Sequence, residues 1–384
     1  MKTVLFATYV SPFPANSGER IRVLNLISAL RALGYAVEAF VGNYDGVDLK
    51  AHDGEGLSFH QIPFAWPRLR QATQVYFCAN AEFIGALHRL NEQKPLTAAI
   101  LDYGFIGAQI DPIARLGIPV VLGTHNVESA LTGQVPRTSL GGKLAIGVRQ
   151  VIEKAHERMF FPRADAVICV SEDDRQTYES FIAANRLHVL PNFVDIPDRF
   201  AGTGRHDRII MSGSFSNFQN CEGLKWFAEN VWDDELRARC ALRVVGKRSE
   251  EAVRGLSETK GISGLGARDD LVAEIGAARC AIVPLLHGGG TRVKCLEAMA
   301  ARTPVVTTSK GCEGIAHDGA FWVADSPQAF KSAILDVLSD HGRAQMRAAK
   351  ARAIFDRVYS LPANVAGLEH VLASARRMRS ARGT

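Results

Sequence analysis

The chain has no Cys-x-x-Cys pair. Its seven cysteines, Cys78, Cys169, Cys221, Cys240, Cys280, Cys295 and Cys312, stand singly and are odd in number. That pattern argues against a disulfide framework or a zinc site and suits a reducing cytoplasm. No stretch approaches the ~20 consecutive apolar residues of a membrane span. The apolar run within Met1 to Thr8 is too short for a signal peptide and is followed at once by Pro12 and Pro14, so it reads as a first buried strand. Neither sign of charge dominates. The 45 Lys and Arg are interspersed with 40 Asp and Glu for a net charge of +5, which leaves no electrostatic footprint for nucleic acid.

What is present is ordinary globular material, 47% apolar and 22% charged. A chain of 384 residues suits two domains rather than one core. Short apolar runs at Val4–Ala7, Val37–Val41, Ala98–Leu101, Val120–Leu122 and Ala166–Val170 alternate with helix-period segments such as Arg20–Leu33, stopped by Gly34, and Gly142–Phe160. The same alternation restarts at Arg208–Met211 and continues through Leu242–Val245, Cys280–Leu285, Pro304–Thr307 and Phe321–Val323. Helices are expected around Cys221–Val231, Asp269–Ala277 and Thr291–Ala301. The fold class is therefore α/β, with two doubly wound, Rossmann-like domains of parallel strands covered on both faces.

The seam is expected near Leu190 to Gly202, giving domains of 1–195 and 196–354, with a terminal helix at about 355–378 packing back on the first. The small, basic end from Arg376 is expected to fray. Two such sheets joined by a hinge place the carboxyl ends of their strands across a cleft, where ligands bind. Binding proteins, epimerases and transferases all share that architecture.

Chemistry concentrates in Pro284 to Gly314. A strand runs into Gly288-Gly289-Gly290-Thr291 and then a helix, so backbone N–H groups and a positive helix end face whatever lies there. Arg292 and Lys294 fall in the first helical turn, where the dipole disfavours cations unless an anion is bound. Together they describe a diphosphate cradle. Glu297, farther along the helix, is suited to accept bonds from a ribose. In the first half, Ser17-Gly18-Glu19-Arg20 bridges strand and helix, and Gly18 permits a close approach to a ligand. Arg20 and Arg22 suit an anionic acceptor or donor phosphates, and read equally as a solvated helix edge. His125 follows a strand's carboxyl end, and Glu128 either positions it or binds the acceptor.

The run GGGTRVKCLEAMAARTPVVTTSKGCEG resembles the donor-site signature of family-4-type glycosyltransferases of the GT-B fold, in the branch with Gly-Gly-Thr-Arg-x-Lys. His125-Asn126-Val127-Glu128, Leu190-Pro191-Asn192 through Asp195, and Gly213-Ser214 with Asn220 resemble further motifs of that branch, in order along the whole chain. The resemblance implies a retaining transfer from a nucleotide-diphosphate sugar to a hydroxyl on a carbohydrate or lipid-linked acceptor. Such transfer serves polysaccharide, lipopolysaccharide or glycolipid assembly. Arg292 and Lys294 would neutralise the diphosphate, Glu297 would hold the ribose, and His125 would contact the sugar. Gly213, Ser214, Gly311, Glu313 and Gly314 would border the phosphates or the transferred sugar. Gly266 and Arg268 would line the base, while Asp269 and Asp270 read equally as helix caps.

The pattern departs from the family at Gly289, where many relatives carry the first Glu of Glu-x7-Glu. Glu313 is the candidate substitute. No Asp-x-Asp-like pair stands where a divalent ion would be expected, so neither metal nor other cofactor is expected. Two rivals share the cleft: a nucleotide-sugar epimerase, and a degenerate module that binds nucleotide sugar without turnover. Pro63 to Phe77 and Gly142 to Arg163 mix apolar residues with basic ones. Both read as membrane-surface segments at the inner face of a membrane or as ordinary core-facing helices.

Overall fold

The computed structural model describes residues 1–15, 18–42, 46–62, 76–133, 140–200, 206–256, 260–287 and 292–382, without the side chains of 140–143. The chain forms two compact units. One comprises Met1–Ala15, Glu19–Pro191 and Asn364–Thr384, and the other Asn16–Gly18 and Asn192–Ala363.

The first unit is built on seven parallel strands: β1 (Lys2–Thr8), β2 (Tyr35–Val41), β3 (Leu57–Gln61), β4 (Leu96–Asp102), β5 (Val120–Gly123), β6 (Ala166–Cys169) and β7 (Leu187–Val189). Their order is β3-β2-β1-β4-β5-β6-β7. Val4, Leu5, Phe6 and Ala7 are all fully buried, which explains a continuous apolar run in place of alternation: helices cover both faces of a parallel sheet. Burying each such large side chain stabilises the fold by about 1.5–3 kcal/mol. The winding reverses between β1 and β4, and such a reversal opens a crevice at the carboxyl ends of the two strands.

Helix α1 (Gly18–Ala32) buries Val23, Leu26, Ile27 and Leu30, and the chain leaves it through Gly34 at φ +79°, a left-handed exit that glycine makes without penalty. Helices α2 (Ala81–Gln93), α3 (Glu128–Gly133) and α4 (Leu140–Phe160) follow.

The second unit repeats the plan with β8 (His206–Ser212), α5 (Phe218–Asn230), β9 (Ala241–Val245), β10 (Ile262–Gly264), β11 (Ala278–Val283), α6 (Val293–Ala300), β12 (Val305–Thr307) and β13 (Trp322–Val323). The order β10-β9-β8-β11-β12-β13 puts its reversal between β8 and β11. Phe227, Trp232 and Phe330 anchor its core.

The terminal helix, α7 (Leu361–Arg382), corrects the expectation of a frayed end. Arg379 holds the fully buried Asp165 through Nη2 at 2.7 Å, Arg382 reaches the same carboxylate at 3.3 Å, and Arg376 donates to the Tyr35 hydroxyl at 2.5 Å. Arg376, Arg379 and Arg382 are fasteners within the first unit. β3, β7 and β10 escape the sequence reading because they are short and only half apolar.

Candidate active site

Each reversal point gathers charged residues. In the second unit the chain leaves β8 at Gly213 with φ +149°, where a Cβ would lie 2.8 Å from Asn220 Nδ2 and 3.2 Å from Lys294 Nζ. Gly246, beyond β9 at φ +130°, is tighter still: a Cβ there would meet the Gly213 carbonyl at 1.9 Å. Only glycines allow these two loops to press backbone to backbone. Gly246 N–H donates to the Gly266 carbonyl at 2.8 Å and Gly266 N–H to Ser249 Oγ at 2.9 Å, so Gly266 belongs to the same set of loops.

Asn220 sits in the first turn of α5. Its Nδ2 donates to the Ser214 carbonyl at 2.8 Å, and its Oδ1 accepts from Lys294 Nζ at 2.6 Å. The ammonium is therefore held beside Gly213 by a neutral amide rather than by a carboxylate. Burial, and then the Arg292 charge, pull the Lys294 ammonium down to about 8.

Arg292 is the residue just before α6, which begins at Val293 rather than Thr291. Its side chain is only 10% exposed, with Glu313 Oε2 3.9 Å away, and burial lowers its pKa despite that carboxylate. Two crowded cations at a helix N-terminus oppose the dipole, so an anion there relieves all three repulsions at once. Glu297, buried on α6, has its carboxyl pushed up to about 7 by burial, against the pull of Lys294.

Gly311 has no room for a side chain: a Cβ would lie 2.3 Å from Thr307 Oγ1 and from the Val283 carbonyl. Gly314 at φ +74° faces open space. Glu313 is exposed and bound to Lys310 Nζ at 2.7 Å. Arg268 is exposed, whereas Asp270 caps the helix Leu271–Gly276 through the Ala273 N–H at 2.9 Å. Gly288, Gly289, Gly290, Thr291 and Ser17 lie outside the described residues.

In the first unit, His125 Nε2 lies 3.0 Å from Asp102 Oδ2, so its orienting partner is Asp102 and not Glu128. The other Asp102 oxygen accepts from Arg22 Nε at 3.3 Å. Arg22 is 3% exposed, which corrects the solvated-edge reading: it faces inward from α1 onto the end of β4. Burial alone would raise the Asp102 carboxyl, but His125 and then Arg22 hold it below its ordinary value. The Tyr103 ring lies 4.1 Å from that of His125, on a backbone at φ +123°. Strain of this kind persists where the surroundings over-determine the position.

Arg20 is occupied by the Phe13 carbonyl at 2.7 Å and thereby straps the loop before α1. Gly18 opens that helix and is exposed.

Glu128 opens α3 with Oε1 shielded from solvent and without a hydrogen-bond partner. Burial and the nearby Glu153 push its carboxyl up to about 8, against a bond from Asn126. Glu153 Oε1 accepts from Tyr76 at 3.1 Å and Arg149 at 2.7 Å, while its Oε2 has no partner. The sequence reading missed Asp102 and Glu153. Asp102 had a signal, an acid closing the apolar run Ala98–Leu101; Glu153 looked like any acid on a long helix.

A groove of about 770 Å³ lined by Asp48, Lys50, His60, Gln61, Glu82 and Arg89, among others, contains none of these residues. Convergent chemistry, not concavity, marks the site.

Residues 17–197 match the family model described as Glycosyltransferase Family 4, and residues 206–340 match that described as Glycosyl transferases group 1. No curated protein matches by sequence. Among solved structures, sucrose-phosphate synthase from Thermosynechococcus elongatus is similar with a TM-score of 0.75 at 16% identity, over 97% of this chain and 98% of that one. WaaG, a glycosyltransferase involved in lipopolysaccharide biosynthesis, has a TM-score of 0.66 at 17% identity over 94% and 97%. Anabaena Alr3699/HepE in complex with UDP-glucose has a TM-score of 0.66 at 14% identity over 97% and 100%. At these identities the likeness is one of fold.

Proposed function

Since the chain belongs to the family-4-type glycosyltransferases of the GT-B fold, we propose that it moves a hexose from a nucleotide-diphosphate sugar to a hydroxyl acceptor. The transfer retains anomeric configuration, needs no metal, and serves polysaccharide, lipopolysaccharide or glycolipid assembly. The observation that carries the donor assignment is the Lys294 ammonium held 2.6 Å from Asn220 Oδ1 beside Gly213, with Arg292 at the same helix end. Bound UDP-glucose in Alr3699/HepE, a protein of the same fold, supports a donor of this class.

As the sugar–phosphate bond breaks, negative charge grows on the diphosphate. Arg292, Lys294 and the α6 N-terminus are already in place to take it, and preorganised donors act most strongly where charge develops. His125, oriented by Asp102, faces the transferred sugar. Glu128 and Arg20 stand on the acceptor side, and Glu297 receives the ribose. Gly266 and Arg268 lie toward the base, and Glu313 takes the place of the carboxylate that Gly289 lacks.

The test is a thermal-shift screen against nucleoside diphosphates. A ligand that binds only the native state raises its stability with occupancy, and the preferred diphosphate identifies the base. Turnover with the matching sugar donor in the presence of EDTA, and the anomeric configuration of the product by NMR, then test metal independence and retention. Interconversion of donor sugars without acceptor would favour an epimerase. Negligible turnover over a broad acceptor panel, equal in wild type and Arg292→Ala, would favour a module that only binds.

A further inference from the structure

Large apolar side chains left in solvent are scattered singly over the described residues except on one helix. Leu144 is 72% exposed, Val148 44%, Val151 68% and Met159 46%, all on α4. Their spacing is helical. At 100° per residue the four fall within an arc of about 80°, with exposed Ala155 inside it, so they form one stripe along the helix. Scattered exposed apolar residues need no explanation, but a contiguous stripe does.

The charges of α4 are sorted as well. Its two carboxylates, Glu153 and Glu157, are 1% and 4% exposed and turned into the first unit, Glu153 toward Tyr76 and Glu157 toward Ser129. Lys154 and Arg158 are exposed and lie along one edge of the stripe. The outward face of α4 is thus apolar and cationic with no acid among its described side chains. A stripe that served only solubility would carry its acids outward. No helix among the described residues is long and apolar enough to cross a membrane, so contact with lipid through this face lies in the plane of the surface.

We propose that this face of α4 docks on an anionic lipid surface, with Leu144, Val148, Val151 and Met159 entering the headgroup boundary and Lys154 and Arg158 meeting the lipid charge. The charge pattern selects this occupant over a second copy of the chain. A self-dimer through this face would bury Lys154 and Arg158 with no carboxylate among its described side chains to pair them, because Glu153 and Glu157 are turned inward.

The experiment is flotation of the full chain with vesicles of phosphatidylcholine alone and of phosphatidylcholine with phosphatidylglycerol, across a salt series. Wild type is expected to float with the anionic vesicles, and to release as salt screens the contact. Leu144→Glu/Val151→Glu should lower partitioning at least about tenfold while the thermal melt is kept, because both positions are exposed. Lys154→Glu changes no apolar group, guards against misfolding of the double variant, and should lower partitioning about fivefold, each cation being worth of that order near a charged surface. Four results overturn the proposal: no flotation at low salt, equal flotation with both vesicle types, flotation that both variants retain, or a stripe-dependent dimer in analytical ultracentrifugation. None of these bears on nucleotide binding, so the donor site stands or falls separately.

Discussion

His125 Nε2 lies 3.0 Å from Asp102, and the carboxylate that holds it is fully buried between that ring and the Arg22 guanidinium. A buried carboxylate with two such partners fixes the ring plane and leaves Nδ1 as the nitrogen available to a ligand. Asp102→Asn should therefore lower kcat by about a hundredfold, the scale of a small misplacement at a reacting centre, with nucleoside diphosphate affinity little changed. Arg22→Ala leaves the carboxylate buried without its guanidinium and should cost about 3–5 kcal/mol in urea unfolding. Because Asp102 is held below its ordinary value, its contribution is present above the unfolded pKa. It is lost as pH falls through the folded one, so the acid limb of the wild-type stability curve should flatten in Asp102→Asn.

Lys294 gives a signature that a structural lysine would not. Its folded pKa of about 8 lies below the unfolded value of ~10.4, so its buried charge costs stability below pH 8, and the cost fades as pH rises between the two values. Lys294→Met should melt no lower than wild type at pH 7 without ligand, yet lose about tenfold to a hundredfold in nucleoside diphosphate affinity, the scale of a charge-assisted bond. In wild type that affinity should weaken as pH climbs above 8. Isothermal titration at pH 7 and 9 reads both.

Much of this was legible and some was not, for physical reasons. The second-unit motif could be read because glycines, two cations and an acid lie close together in the chain, on one strand-to-helix turn. Asn220 shares a local motif with Gly213 and Ser214, but its bond to Lys294 joins residues 74 apart and required the β8/β11 adjacency. Asp102 and Arg22 are 80 residues apart, and nothing local distinguishes Arg22 from Arg20 two positions earlier. Helix α4 shows the reverse. Its amphipathic composition was visible, but which face turned outward depends on the burial of Glu153 and Glu157, and periodicity does not settle that.

Gly213 offers a backbone test. At φ +149°, with Asn220 and Lys294 within 3.2 Å of its missing Cβ, Gly213→Ala brings strain of about 1–3 kcal/mol and pushes the amide and ammonium apart. Chemical denaturation should show that loss, and nucleoside diphosphate affinity should fall with it. Gly319→Ala is the control. Its Cβ would meet nothing within 4 Å, so any loss there reflects its φ of +75° alone and should leave affinity nearly unchanged.

Glu128 closes the set through pH. Its carboxyl is raised to about 8 by burial and by Glu153, so the folded protein prefers it protonated. The corresponding stability is full below the unfolded value near 4.5 and is lost as pH rises through 8. Glu128→Gln keeps the shape and cannot ionise. The variant should match wild type near pH 5 and become the more stable of the two by pH 9. The gap should reach at least about 1 kcal/mol, since each tenfold difference in proton affinity between folded and unfolded chain is worth about 1.4 kcal/mol. Melting curves at the two pH values decide it. A gap that stays constant from pH 5 to 9 would mean that Glu128 ionises freely and that its shielded Oε1 finds water. If instead the gap opens as expected while acceptor KM rises in the variant and donor KM does not, the same carboxyl both burdens the fold and receives the acceptor.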